Sequence, residues 1–128
     1  VLKAELSIAR VDGNVLATLS ITNQRSMPIK LLKSTILHGG VIRGEAFEVK
    51  RCGRRVPYRG LLVKYGEPSE EDFIILEPMQ KYETEVNISS VYDMSLDGTY
   101  SIRYWSMNVM DSEVIVIESE IVTCNARE

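Results

Sequence analysis

Leu2-Lys3-Ala4-Glu5-Leu6-Ser7-Ile8-Ala9-Arg10-Val11-Asp12-Gly13-Asn14-Val15-Leu16-Ala17-Thr18-Leu19-Ser20-Ile21 is the stretch that decides the fold class. Leu2, Ala4, Leu6 and Ile8 alternate with Lys3, Glu5 and Ser7, the period of two that puts one strand face in a core and the other in water. Val15, Ala17, Leu19 and Ile21 resume the alternation beyond Asp12-Gly13, a pair suited to a tight turn because glycine takes positive φ without steric cost. The two runs read as a β-hairpin, and a half-apolar hairpin needs a second layer to cover it.

Working outward, Asn23 to Pro28 is a polar connection, and Leu31-Leu32 with Ile36-Leu37 predict two short strands or one bent strand before Gly39-Gly40. Phe47 and Val49 lead into Cys52-Gly53, after which the aliphatic and aromatic content of Val56 to Lys64 predicts a strand on the far side of a basic hairpin tip. Gly66 to Asp72 reads as a loop, and Phe73 to Leu76 as a strand closed by Pro78. Tyr82, Thr84, Val86 and Ile88 alternate with polar residues, as do Tyr100, Ile102 and Tyr104. Between these two strands, Ser89 to Gly98 has room for a helical turn; Ser106 to Ser112 is expected as a loop and Val114 to Val122 as the last strand. The pattern predicts an all-β fold, an immunoglobulin-like antiparallel β-sandwich of about seven to nine strands, with residues 1–128 forming one domain.

At 45% hydrophobic and 26% charged residues in a chain of 128, the composition is that of an ordinary globular domain able to bury its own core. A net charge of -3 gives no long-range attraction for polyphosphate, so no nucleic-acid partner is expected. No apolar run approaches the roughly 20 residues that cross a bilayer, so no membrane span is expected. The chain opens at Val1 without Met or a basic-then-apolar leader, as expected of a mature product or an excised domain.

The chemistry of an active site is missing from the sequence. His38 is the only histidine and sits beside Gly39-Gly40, where an exposed turn residue is expected rather than a catalytic base. There is no HExxH to place two imidazoles on zinc, and His38-Gly39-Gly40 with Gly44 lacks the spacing of a phosphate loop. Glu70-Glu71-Asp72 lacks the alternating ligands and central glycine of a calcium loop. The reading is therefore of no catalytic residue, no metal and no cofactor.

What remains are candidates for contact. Arg51, Arg54, Arg55 and Arg59 with Tyr58 form the one basic, partly aromatic cluster, suited to an acidic partner surface. Glu70, Glu71 and Asp72 form its acidic counterpart in a loop. Arg54, Arg55, Tyr58, Glu70, Glu71 and Asp72 are thus the candidate protein-contact residues. Cys52 and Cys124 either pair or stay as free thiols, and Asn87-Ile88-Ser89 fits the N-glycosylation pattern on a predicted strand. Trp105, at the end of a strand, is expected in core or edge packing.

Several segments carry a family resemblance. Phe47-Glu48-Val49, Val56-Pro57-Tyr58-Arg59-Gly60, Val63-Lys64, Pro68, Glu70 to Phe73, Leu76 and Pro78 resemble the non-catalytic β-domain preceding the protease domain of peptidyl-Lys (deuterolysin-like, aspzincin) zinc metalloendopeptidases. Val86, Val91-Tyr92-Asp93-Met94-Ser95, Gly98-Thr99-Tyr100 and the opening Ser20-Ile21-Thr22-Asn23 with Pro28 continue the likeness, while Met79-Gln80 stands where that family has a glycine-containing turn. The resemblance implies a secreted protein that assists the folding, latency or substrate access of a protease, and an extracellular setting in which Cys52 and Cys124 form a disulfide. It carries over no catalytic residue. A free-standing protease inhibitor of immunoglobulin-like fold is the alternative, and an enzyme working through carboxylates alone is the third.

Overall fold

Asp12 and Gly13 adopt φ of 50° and 82°, the paired positive values of a type I′ turn, so the first two strands join in a two-residue hairpin. The structure, a computed structural model, describes residues 2–63, 66–110 and 113–125, with Val109 and Met110 described through their backbone alone. Its strands are β1 (Leu2–Val11), β2 (Asn14–Asn23), β3 (Ile29–Leu32), β4 (Phe47–Arg51), β5 (Arg54–Arg55), β6 (Phe73–Leu76), β7 (Lys81–Asn87), β8 (Thr99–Met110), β9 (Glu113–Glu118) and β10 (Val122–Asn125). The fold is all-β and every strand pairing is antiparallel. Ten segments stand where about seven to nine strands are expected from the pattern. The surplus lies in the two-residue β5 and in the division of the last strand into β9 and β10.

One sheet has the order β1-β2-β7; the other runs β10-β8-β4-β5, with β9 added to β8; β3 and β6 form a separate ribbon. The core lies between these layers. Ala17, Leu19, Ile21 and Val86 of the first sheet meet Phe47, Val49, Tyr100, Ile102, Tyr104 and Ile117 of the second, all almost fully buried, and Leu31 and Leu76 of the ribbon join the same cluster. Phe47 and Tyr104 touch edge to face with ring centroids 5.4 Å apart, a favourable aromatic geometry. Two buried asparagines fasten the ribbon. Asn23 donates to the carbonyls of Met27 (2.9 Å) and Leu76 (2.8 Å), and Asn108 accepts the Leu32 N–H (2.8 Å) and donates to the Lys30 carbonyl (3.3 Å). Buried polar groups persist where their partners are supplied in this way.

Four local expectations change. Val56 to Lys64 does not form a strand: Val56 donates to the Val49 carbonyl, Tyr58 makes an isolated bridge to Tyr92, and 61–63 lie outside any ladder, while Lys64 falls outside the described residues. Pro57 has no N–H to give. At Gly60 the backbone runs so close that a Cβ there would stand 2.6 Å from Val91 Cγ1 and 2.7 Å from Tyr58 Cζ, so the chain bends. Ile36-Leu37 form no strand either; β3 passes instead into 3₁₀ turns at Lys33–Thr35 and His38–Gly40. The expected loop Ser106 to Ser112 is strand as far as Met110, with Asp111 and Ser112 outside the described residues.

The final strand, expected unbroken from Val114 to Val122, is split by a β-bulge. Trp105 pairs with Glu118, whereas Ile102 pairs with Val122, so three residues on one side face two on the other. The Ser119 hydroxyl replaces the missing carbonyl by accepting the Tyr104 N–H at 2.9 Å, and the Ser119 N–H returns to the Tyr104 carbonyl at 3.0 Å. The helical turn expected between Ser89 and Gly98 starts slightly earlier, as a 3₁₀ turn over Ile88–Ser90.

Candidate protein interface

Among the described residues, no group of three or more His, Cys, Asp and Glu is placed to hold a metal ion. His38 is half-buried rather than freely exposed, its ring stacked 6.0 Å from that of Tyr82. It lines a cleft of 340 Å³ with Lys33, Ser34, Arg43 and Asp72, and among the described residues no serine or cysteine hydrogen-bonds its ring. Its location is explained by packing of the 3₁₀ turn over β7, where Leu37 accepts a hydrogen bond from Thr84 (3.1 Å).

The six contact candidates fall into two groups that line no common cavity. Arg54 and Arg55 form the exposed return arm of a hairpin whose tip, Cys52-Gly53, has φ of 51° and 80°. Arg55 is committed to Glu45 at 2.6 Å, which raises the guanidinium pKa through that hydrogen bond and charge. Tyr58 is half-buried against Tyr92 and its hydroxyl donates to the Leu61 carbonyl, so its role is to shape the following loop. Of the acidic set, Glu70 pairs with Lys30 at 3.0 Å and Asp72 closes a capping box with Ser69, leaving Glu71 exposed on the same turn. Asp72 thereby shapes the turn that leads into β6.

The expected disulfide is not made. Cys52 and Cys124 are free thiols on opposite sides of β8: Cys52, in the turn that follows β4, bonds the Thr99 carbonyl through its N–H, and Cys124 of β10 pairs with Tyr100. Strands separated by a shared neighbour stand roughly 9–10 Å apart, beyond the ~7 Å Cα separation a disulfide can span. Burial raises the Cys124 thiol pKa. Asn87 ends β7 and its side chain caps the following turn by accepting the Ser89 N–H at 3.1 Å, while the Ser89 hydroxyl accepts the Val15 N–H at 3.1 Å. The glycosylation triplet is therefore knitted into the junction of two strands.

A different surface emerges on β8 and β9. Tyr100, Ile102 and Tyr104 point inward, so residues of the opposite phase point outward, and these include Trp105 and Met107. Met107 pairs with Val116 and Trp105 with Glu118, and Val114, two residues before Val116, lies on the same face. The four side chains are between 40% and 55% exposed and form an apolar strip on the outside of the sheet. Trp105 is thus a surface residue, not core filler. The parity of Tyr100, Ile102 and Tyr104 against Trp105 and Met107 was the sequence signal for it.

The strip has definite borders. Toward the sandwich centre it gives way to Glu48, Lys50, Arg103 and Glu118, in which Arg103 reaches Glu48 at 3.6 Å and Glu118 more closely. Beside it runs the segment 43–46, whose Ala46 carbonyl accepts the Trp105 N–H (2.9 Å) and whose Arg43 carbonyl accepts the Val63 N–H (3.0 Å). An apolar strip beside a charged cluster is a surface pattern that protein-binding sites share.

No known protein-family profile matches the chain. It is similar to a protein named extracellular protease from Aeromonas hydrophila, 37% identical over 97 residues that cover 73% of this chain and 28% of that protein. It is also 30% identical over 93 residues to a probable neutral protease 2 homolog from Arthroderma benhamiae, and equally to one from Trichophyton verrucosum, covering 70% of this chain and 25% of each. The chain spans about a quarter of the length of these relatives. Their names are those of proteases, the class to which the sequence resemblance points.

Proposed function

We propose that this chain is a non-catalytic protein-binding module of a secreted zinc metalloendopeptidase system. In this reading, residues 1–128 form one folding unit that assists the folding, latency or substrate access of a protease domain, joined to it or separate. The observation that carries the reading is the outward apolar strip of Trp105, Met107, Val114 and Val116, because a sheet face of this kind gains most by being covered. The matched proteases supply the kind of partner, and the share of their length left unmatched is ample for a catalytic domain. A free-standing inhibitor is the second reading, favoured by one exposed loop treated below.

The test is binding of the purified chain to the Aeromonas hydrophila extracellular protease, followed by interferometry. Saturable binding is expected, with the Trp105→Ser/Met107→Ser variant weaker by roughly 10-fold or more. The chain alone is expected to leave casein intact. Failure to bind that protease at high micromolar concentration, or casein hydrolysis by the chain itself, contradicts the proposal.

A further inference from the structure

Leu61, Leu62 and Val63 are three consecutive apolar residues exposed together, Leu61 by 71% and Leu62 by 76%. Single exposed leucines are ordinary, but a run of this kind is a liability unless something binds it. The backbone just before the run and within it is tied to the sandwich. The Arg59 N–H bonds the Val91 carbonyl at 2.7 Å, the Tyr58 hydroxyl donates to the Leu61 carbonyl, and the Val63 N–H bonds the Arg43 carbonyl. Tyr58 is itself anchored against Tyr92, and the close approach at Gly60 sets the bend from which the run projects. The result is a short non-ladder segment held in shape by its base, with its side chains presented to solvent.

We propose that this segment is the part of the chain that enters the substrate cleft of the endopeptidase. The inference rests on the protease-binding reading above and adds the mode of contact. A protease cleft fills its pockets with the side chains of an inserted segment, and a segment already held at its base loses less entropy on entering than a free one. Leu61 and Leu62 are the pocket-filling side chains. Exposed Arg59, two residues before Leu61, suits an acidic cleft rim. Through Arg43 and Ala46 the segment adjoins the Trp105 strip, so the inserted loop and the flat surface that rests beside the cleft are neighbours. The cleft is the occupant chosen over a second copy of this chain, because every relative matched is named a protease and an inserted loop needs a concave partner.

The experiment measures inhibition of the Aeromonas hydrophila extracellular protease on a small fluorogenic peptide by the intact chain and by the Leu61→Asp/Leu62→Asp variant. Both positions are exposed, so the variant is expected to keep its melting temperature and circular dichroism. The intact chain should inhibit competitively, and the variant should raise the inhibition constant by roughly 100-fold or more. If the intact chain binds but does not compete with the peptide, or if the variant inhibits like the intact chain, the loop assignment is overturned while protease binding stands. If the intact chain does not bind at all, the protease-binding reading falls and the loop assignment with it.

Discussion

Strand β8 exchanges the chemistry of its two faces half-way along. From Thr99 to Tyr104 it is flanked by β4 and β10, its inward side chains are Tyr100, Ile102 and Tyr104, and its outward face carries Ser101 and Arg103. From Trp105 onward its one strand partner among the described residues is β9; the inward residues are Ser106 and the fully buried Asn108, and Trp105 and Met107 face out. The first half follows the ordinary rule of apolar inside and polar outside. The second half inverts it, held from within by hydrogen bonds and presenting apolar surface outward. The difference separates the half of β8 that secures the sandwich from the half that the proposed reading assigns to a partner.

The inversion makes a strong demand on Asn108. Its side chain serves Leu32 and Lys30 from a site with no access to water, so Asn108→Leu leaves buried backbone groups unpaired and is expected to cost roughly 3 kcal/mol in chemical denaturation. Trp105→Ser, three residues away on the other face, should change stability by less than about 1 kcal/mol. Equal costs for the two would break the comparison.

How far the sequence carries this account differs in the same way between regions. The β1–β2 hairpin, the Asp12-Gly13 turn and the alternation in β7 and the first half of β8 are local patterns, and they are legible because periodicity and turn chemistry depend on neighbours in sequence. The segment from Val56 was misread because aliphatic content without alternation does not define a strand, and Pro57 with Gly60 outweighed it. The second half of β8 read as a loop because Ser106 and Asn108 look like turn residues until the ribbon that they fasten is known. None of the six expected contact residues lies in the Trp105 strip. Its signal was the parity of Trp105 and Met107, available in the sequence once Tyr100, Ile102 and Tyr104 are assigned inward.

A smaller effect separates stability from recognition. Pro78 and Met79 form a turn in which the Gln80 N–H bonds Glu77 at 2.9 Å, and Met79 sits at φ 65°, where a side chain is unfavourable and glycine is at ease. Met79→Gly is expected to stabilise the fold by about 0.5–1 kcal/mol, read as an upward shift of the denaturation midpoint at unchanged slope. Affinity for the protease should not move, since the turn belongs to the self-sustaining part of the molecule.

The most direct measurement is hydroxyl-radical footprinting of the chain alone and in complex with the Aeromonas hydrophila extracellular protease. Trp105 and Met107 report the outward strip, and Met79, 71% exposed on the β6–β7 turn, serves as the internal control. Oxidation of Trp105 and Met107 should fall several-fold on binding, while Met79 oxidation stays constant. Unchanged oxidation of Trp105 and Met107 with protection of Met79 would place the partner elsewhere and contradict the assignment of the second half of β8 to recognition.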